Sequence, residues 1–198
     1  MPTFVTITDG KCHDINVVRD PHYGFPRLLS DSIVTVDRAY IDYKWLYSLT
    51  MQRVFFVTRV KRNIQYSPVG QHEIPKNKGV ISDQIIRLTG FYSTQEYPDI
   101  LRLVTYYDSE TNKTFSFLTN NFTLFAYTIA ELYKARWHIE LFFKWIKQNL
   151  KIKTFLGTSE NAVMTQIWIA MIYYLLLSFI KEKIKKVVSC DQNLKGKK

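Results

Sequence analysis

The stretch from Tyr127 to Leu150 sets the tightest limit on what this chain can fold into. Its apolar residues recur at helical spacing, and a helix advances about 100° per residue. Counted from Tyr133 at that step, Arg136, Glu140 and Lys147 fall within a strip about 60° wide, with Lys144 close beside it. Leu132, Ala135, Ile139, Phe142, Phe143, Ile146 and Leu150 fill the neighbouring arc. The arc is expected to face a core, which puts the strip at the core's edge, partly shielded from water.

That strip permits two readings. Glu140 and Lys144 stand four apart and can pair on a solvated helix face, an interaction worth a few tenths of a kcal/mol. Alternatively, a lone carboxylate among cations and a phenol can hold a metal ion while its neighbours hold phosphate oxygens. The formal net charge of +10 draws polyanions, nucleic acid before an anionic membrane surface.

The order Tyr133-x2-Arg136-x3-Glu140-x6-Lys147, set within LYKARWHIELFFKWIKQNLKI, resembles the Y-x2-R-x3-E-x6-K signature of transposases of the insertion-sequence-4 family. The resemblance implies that Glu140 is the last carboxylate of an acidic triad that binds two Mg2+ (or Mn2+) ions in the complete enzyme. It also implies that Tyr133, Arg136 and Lys147 contact the DNA backbone, with Lys144 able to join them. The partners implied are double-stranded DNA, as transposon ends and target, and a second copy of the enzyme in a homodimer. The implied reaction is cut-and-paste transposition by two-metal phosphoryl transfer, in the cytoplasm at the nucleoid, with no membrane partner.

A second carboxylate has to come from the sheet. Ser32–Val36 reads as a short apolar strand, and Asp37 follows it, at the edge where open α/β sheets place their sites. Asp37 can equally cap the helix that comes next. The text VDRAYIDY is similar to the family's block around its second acid, which favours Asp37 as a metal ligand and adds Arg38 to the DNA-binding residues. The first acid belongs further upstream than this chain reaches, because PTFVTITDGKCHD is similar to the family's third strand. The chain therefore reads as truncated at its N-terminus, and a catalytically dead remnant that only binds DNA is the alternative function.

The fold expected is α/β: a ribonuclease-H-like (retroviral-integrase-like) mixed sheet, truncated at its N-terminus, with a β-rich insertion and two long C-terminal helices. Residues 1–60 would form the partial core, 61–121 the insertion, 122–186 the helices and 187–198 a basic tail. Strands are expected at Thr3–Thr8, Arg53–Val60, Ile85–Leu88, Ile100–Tyr107 and Thr114–Leu118, with the polar turn DSETNK joining the last two. A helix suits Tyr40–Leu49, and 61–84 reads as loop-rich around Pro68, Gly70, Pro75 and Gly79. After a break at Gly157, Ser159 can cap a helix to about Lys186. Its apolar run Ile167–Leu177 is shorter than the ~20 residues that span a bilayer, so a buried core helix is expected. Cys12 and Cys190 stand at opposite ends, and the four histidines show no ligand spacing.

Overall fold

A computed structural model describes residues 13–20, 28–60, 63–74, 78–149 and 159–195. The expected strand Thr3–Thr8, the break at Gly157 and the side chain of Lys147 lie outside the described residues. Of the described residues, those up to His138 form one compact unit and those from Ile139 onward another.

The first unit is built on a six-stranded mixed sheet, an α/β arrangement of the ribonuclease-H-like class. The elements run α1 (Asp14–Arg19), β1 (Ile33–Val36), a 3-10 turn (Arg38–Tyr40), α2 (Tyr43–Met51) and β2 (Phe55–Arg59). They continue as β3 (Tyr66–Gln71), β4 (Val80–Leu88), α3 (Phe91–Glu96), β5 (Leu101–Asp108), β6 (Lys113–Thr119) and α4 (Ala126–Ala135). The spatial order is β1-β2-β6-β5-β4-β3, so strands from 61–121 continue the sheet begun by β1 and β2. Among the described strands only β1 and β2 pair in parallel, with Val36 opposite Thr58.

Alternation along the strands divides the core into two faces. Phe56, Leu118, Leu103, Leu101, Ile86 and Leu88 point toward α2 and Tyr97, while Val57, Phe117 and Val104 point toward α4. On the first face, the buried Asn120 side chain receives the Phe56 amide at 2.9 Å and donates to the Val54 carbonyl at 3.0 Å. On the second, Arg102 is 3 % exposed and grips both carboxylate oxygens of Asp83, at 2.7 and 2.8 Å. Its remaining nitrogen donates to the carbonyls of Asn121 and Leu124, which lead into α4.

The sequence expectations meet this fold unevenly. The loop-rich reading of 61–84 is corrected: β3 and the first half of β4 lie there. Pro68 and Gly70 are tolerated because β3 is an outer strand among those described and shifts register between them. Asp14–Arg19 form the short helix α1. The six-residue α3 buries none of its residues and leaves Phe91 and Tyr92 exposed, so it had no apolar period to announce it. The DSETNK turn is as expected, with Asn112 taking the positive φ of 52° that asparagine accepts readily.

The second unit contains most of α5 (Trp137–Asn149) and all of α6 (Glu160–Lys195). Ser159 caps α6 as expected, its hydroxyl accepting from the Ala162 amide at 3.3 Å. Aromatic contacts join the two helices: Phe142 meets Tyr174 edge-on at 4.6 Å, and Trp145 meets Tyr174 at 5.3 Å. The expectation of a buried core helix is not met. Ala170 and Met171 are buried, but Ile169, Ile172, Leu176, Phe179 and Ile180 are half or more exposed. Apolar residues surround this helix on every side, and α5 covers one face. Asn161–Lys181 is long and apolar enough to cross a membrane.

Replacing Arg102 by Met should cost about 3–5 kcal/mol, because Asp83 would be left charged and buried. Urea unfolding followed by circular dichroism measures this. A second ion pair gives a pH dependence. Lys134 donates to the buried Asp108 at 2.8 Å, and this bond, with a further one from Thr111, holds the Asp108 carboxyl below the ordinary range. The stability from that depression is complete above the ordinary carboxylate pKa and is lost as pH falls below it. Asp108→Asn should therefore flatten the acid limb of a thermal-stability-against-pH curve.

Candidate nucleic-acid and metal site

Asp37 directly follows β1 and Arg59 ends the parallel neighbour β2, so both sit at the same carboxyl edge of the sheet. The Asp37 side chain accepts from the Ala39 amide at 3.2 Å, which makes it the cap of the 3-10 turn. One carboxylate oxygen serves the turn and the other faces Arg136 at 3.3 Å. Arg136 is 12 % exposed and Asp37 41 %, so the guanidinium is the more deeply held of the two.

Tyr133 completes the group. It is buried, packs on Phe117 with ring centroids 5.0 Å apart, and lies beneath the Arg136 guanidinium at 5.3 Å. Burial raises the pKa of its phenol above the ordinary value. Arg136, by charge and by a hydrogen bond, and Arg59 oppose that rise, while Asp37 adds to it. The phenol therefore stays protonated at neutral pH and remains an O–H donor.

The expected single helix is corrected. Helical turns run from Ala126 to Ala135, Arg136 is the joint, and α5 starts at Trp137. Within α4 the buried face is Ala126, Ile129, Ala130 and Tyr133. Tyr133 is thus central to the packed face and not at its rim. The arc drawn from the sequence was weighted by α5, whose Ile139 and Phe143 are exposed. The small side chains of Ala126 and Ala130 let α4 press its tyrosine face onto the sheet.

The structure brings together Asp37, Tyr133 and Arg136, with Arg38 adjoining. Glu140 lies in the first turn of α5 and Lys144 one turn later, both exposed and both in the second unit. Arg59 was missed by the sequence reading. It reaches the same sheet edge as Asp37 only through the parallel pairing of β2 with β1, which is not a local property of the sequence.

Asp37, with Arg136 facing it and Arg38 adjoining, thus sits at the carboxyl edge of an α/β sheet in a basic chain. The chain belongs to the transposase DDE domain family, which matches residues 1–176. It is 37% identical over 180 residues to a protein named as a transposase in Sinorhizobium fredii, covering 89% of this chain and 49% of that one. It is 30% identical over 190 residues to a protein named as the transposase of insertion sequence element IS5377 in Geobacillus stearothermophilus, covering 94% and 48%. A protein named as the transposase of element IS4SA in Synechocystis is 26% identical over 183 residues, covering 91% and 49%. The chain spans about half the length of these curated relatives.

Divalent-metal dependence goes with the family, and the donor set can be tested against it. Asp37 is a hard oxygen donor, part exposed, and suits one ligand position of Mg2+. Among the described residues, no group of three or more His, Cys, Asp or Glu side chains could hold a metal ion. Asp37 thus offers one carboxylate, and the described residues form no finished cage around it.

Tyr133→Phe should keep the ring packing and change stability by less than about 1 kcal/mol, whereas Tyr133→Ala should cost about 3–5 kcal/mol by opening a cavity beside Phe117. Thermal melts of the two variants test this separation of packing from hydroxyl.

Proposed function

We propose that this chain acts on DNA as the catalytic part of an insertion-sequence transposase of the insertion-sequence-4 type, in cut-and-paste transposition. The observation that carries the reading is the Asp37–Arg136–Tyr133 group at the carboxyl edge of β1, in a chain of the transposase DDE domain family. The net charge of +10 supports DNA as the partner.

In this reading Asp37 and Glu140 are the acidic residues that serve as ligands of Mg2+ or Mn2+, two ions in the complete enzyme. Arg136 has a planar fork that suits a phosphodiester as well as it suits the carboxylate it now faces. Tyr133, kept protonated by burial, donates its hydroxyl to a phosphate oxygen. Arg38, Lys144 and Lys147 add charge along the DNA backbone. The complete enzyme would be a homodimer bound to paired ends, at work in the cytoplasm on nucleoid DNA, and membranes have no part in it.

The test is strand cleavage by the full chain on DNA carrying the ends of its own element. Mg2+-dependent cutting that disappears in both Asp37→Asn and Glu140→Gln supports the proposal. Salt-sensitive binding with no cutting under any divalent ion would sink the catalytic reading and leave a protein that only binds DNA. On either outcome, Arg136→Gln should weaken DNA binding about tenfold, through the loss of one phosphate contact.

A further inference from the structure

The sheet-facing stripe of α4 has one more member than the sheet covers. Its buried members, Ala126, Ile129, Ala130 and Tyr133, stand three or four residues apart, the spacing that keeps side chains on one helix face. Trp137 is the next position in that series, four residues after Tyr133 and about 40° from it around the axis. Arg136 keeps helical backbone angles, so the stripe carries across the joint into α5. All of these residues belong to the first unit.

The last two members differ in what they meet. Tyr133 is 7 % exposed with its ring on Phe117, whereas Trp137 is 52 % exposed. Among the described residues, no ring, cation or hydrogen-bond partner meets the indole. The chain holds four tryptophans, and the other three are better covered. Trp45 lies in the core, Trp145 packs on Tyr173 and Tyr174, and Trp168 is 46 % exposed.

One exposed apolar side chain is ordinary on a protein surface. Trp137 is set apart by its neighbours. Arg136 immediately precedes it and faces Asp37 at 3.3 Å, and Tyr133 stands one helical turn before it. A flat apolar ring beside a planar guanidinium and a hydroxyl donor is complementary to a ligand that joins a flat ring to an anionic group. A nucleotide has that composition: its phosphate takes the charge-assisted hydrogen bonds, and its base offers a π-face to the indole. A base inside a duplex already has both faces stacked, so the base that fits the indole is an unpaired one.

We propose that Trp137 is a stacking platform for an unpaired base of the DNA strand whose phosphate meets Arg136. This role rests on the DNA-handling reading and adds to it a partner for a base, where the residues named so far meet only the backbone. Trp137 holds the strand in place and takes no part in making or breaking bonds.

The experiment measures DNA binding by the full chain, by fluorescence anisotropy over a salt series, on three duplexes of one sequence. One is blunt, one carries a single-stranded extension, and one carries the same extension built from abasic sites. The unsubstituted chain should bind the base-bearing extension about tenfold more tightly than the abasic one. Trp137→Ala should erase that preference. It should leave the blunt-duplex affinity and the slope of log affinity against log salt unchanged, because no charge is altered. Trp137→Phe, which keeps an aromatic face, should retain most of the preference. Trp137→Leu, apolar but not aromatic, should erase it while keeping bulk at the position. Trp168→Ala, the same change at the other exposed tryptophan, should keep it in full.

Equal affinity of the unsubstituted chain for the two extensions overturns the platform, whatever the variants do. A preference that persists in Trp137→Ala or Trp137→Leu places the stacking elsewhere and overturns it as well. If Trp137→Ala melts at a lower temperature and loses blunt-duplex affinity in the same proportion, the indole is a packing residue and the assignment falls. In these three cases, salt-dependent binding of the blunt duplex by the unsubstituted chain leaves the DNA-handling reading standing. If that chain binds no probe in a salt-dependent way, the platform and the DNA-handling reading fall together.

Discussion

The guanidinium of Arg102 is almost wholly removed from water, and the placement of the site follows from how it is satisfied. Desolvating an ion pair costs several kcal/mol per charge, which close pairing and full hydrogen bonding can offset. Here two nitrogens meet both oxygens of Asp83, and a third meets the carbonyls of Asn121 and Leu124. The second pair of bonds reaches off the sheet into the loop that launches α4. Asn121 reinforces the loop, its side-chain oxygen accepting the amides of Thr123 and Leu124. The start of α4 is thereby fixed to β4 and β5, and its tyrosine face comes down on β6 with Tyr133 against Phe117.

From that anchoring the site assembles with little further help. Tyr133 is held by packing, Arg136 follows at the helix end and reaches Asp37, and Asp37 is itself held by the 3-10 turn it caps. Each member has a structural task, beside the chemical one that the proposed function gives it. Such double use explains why the group can be preorganised on a sheet edge: the backbone geometry that satisfies Asp37 as a cap also aims its second oxygen outward.

How much of this was legible in the sequence depends on whether local pattern or long-range packing decided the outcome. The apolar runs that became β1, β2, β5 and β6 were readable because burial on a sheet demands them. Asp37 was readable as a strand-terminal acid, and the spacing of Tyr133, Arg136, Glu140 and Lys147 carried the family. The strand β3 was hidden by Pro68 and Gly70, which are disruptive in a central strand and harmless at an outer one, and strand order is not a local property. The joint at Arg136 was hidden for the opposite reason. Its backbone angles stay helical, at φ −58° and ψ −28°, so no residue there forbids continuation. Arg59 escaped because its meaning comes from β2 lying parallel to β1, a pairing no short window contains.

The irregular outer strand also governs how the molecule meets other copies of itself. A straight peripheral strand offers a row of free amides and carbonyls that a neighbouring chain can extend into a shared sheet. In β3 the proline removes one donor from that row, and the register shift between Pro68 and Gly70 throws the rest out of step. Intermolecular strand addition, the first event in amyloid-like growth, finds no regular template along this border of the sheet. The residues that disguised β3 in the sequence thus guard a basic, aromatic-rich protein against self-templated aggregation at that border.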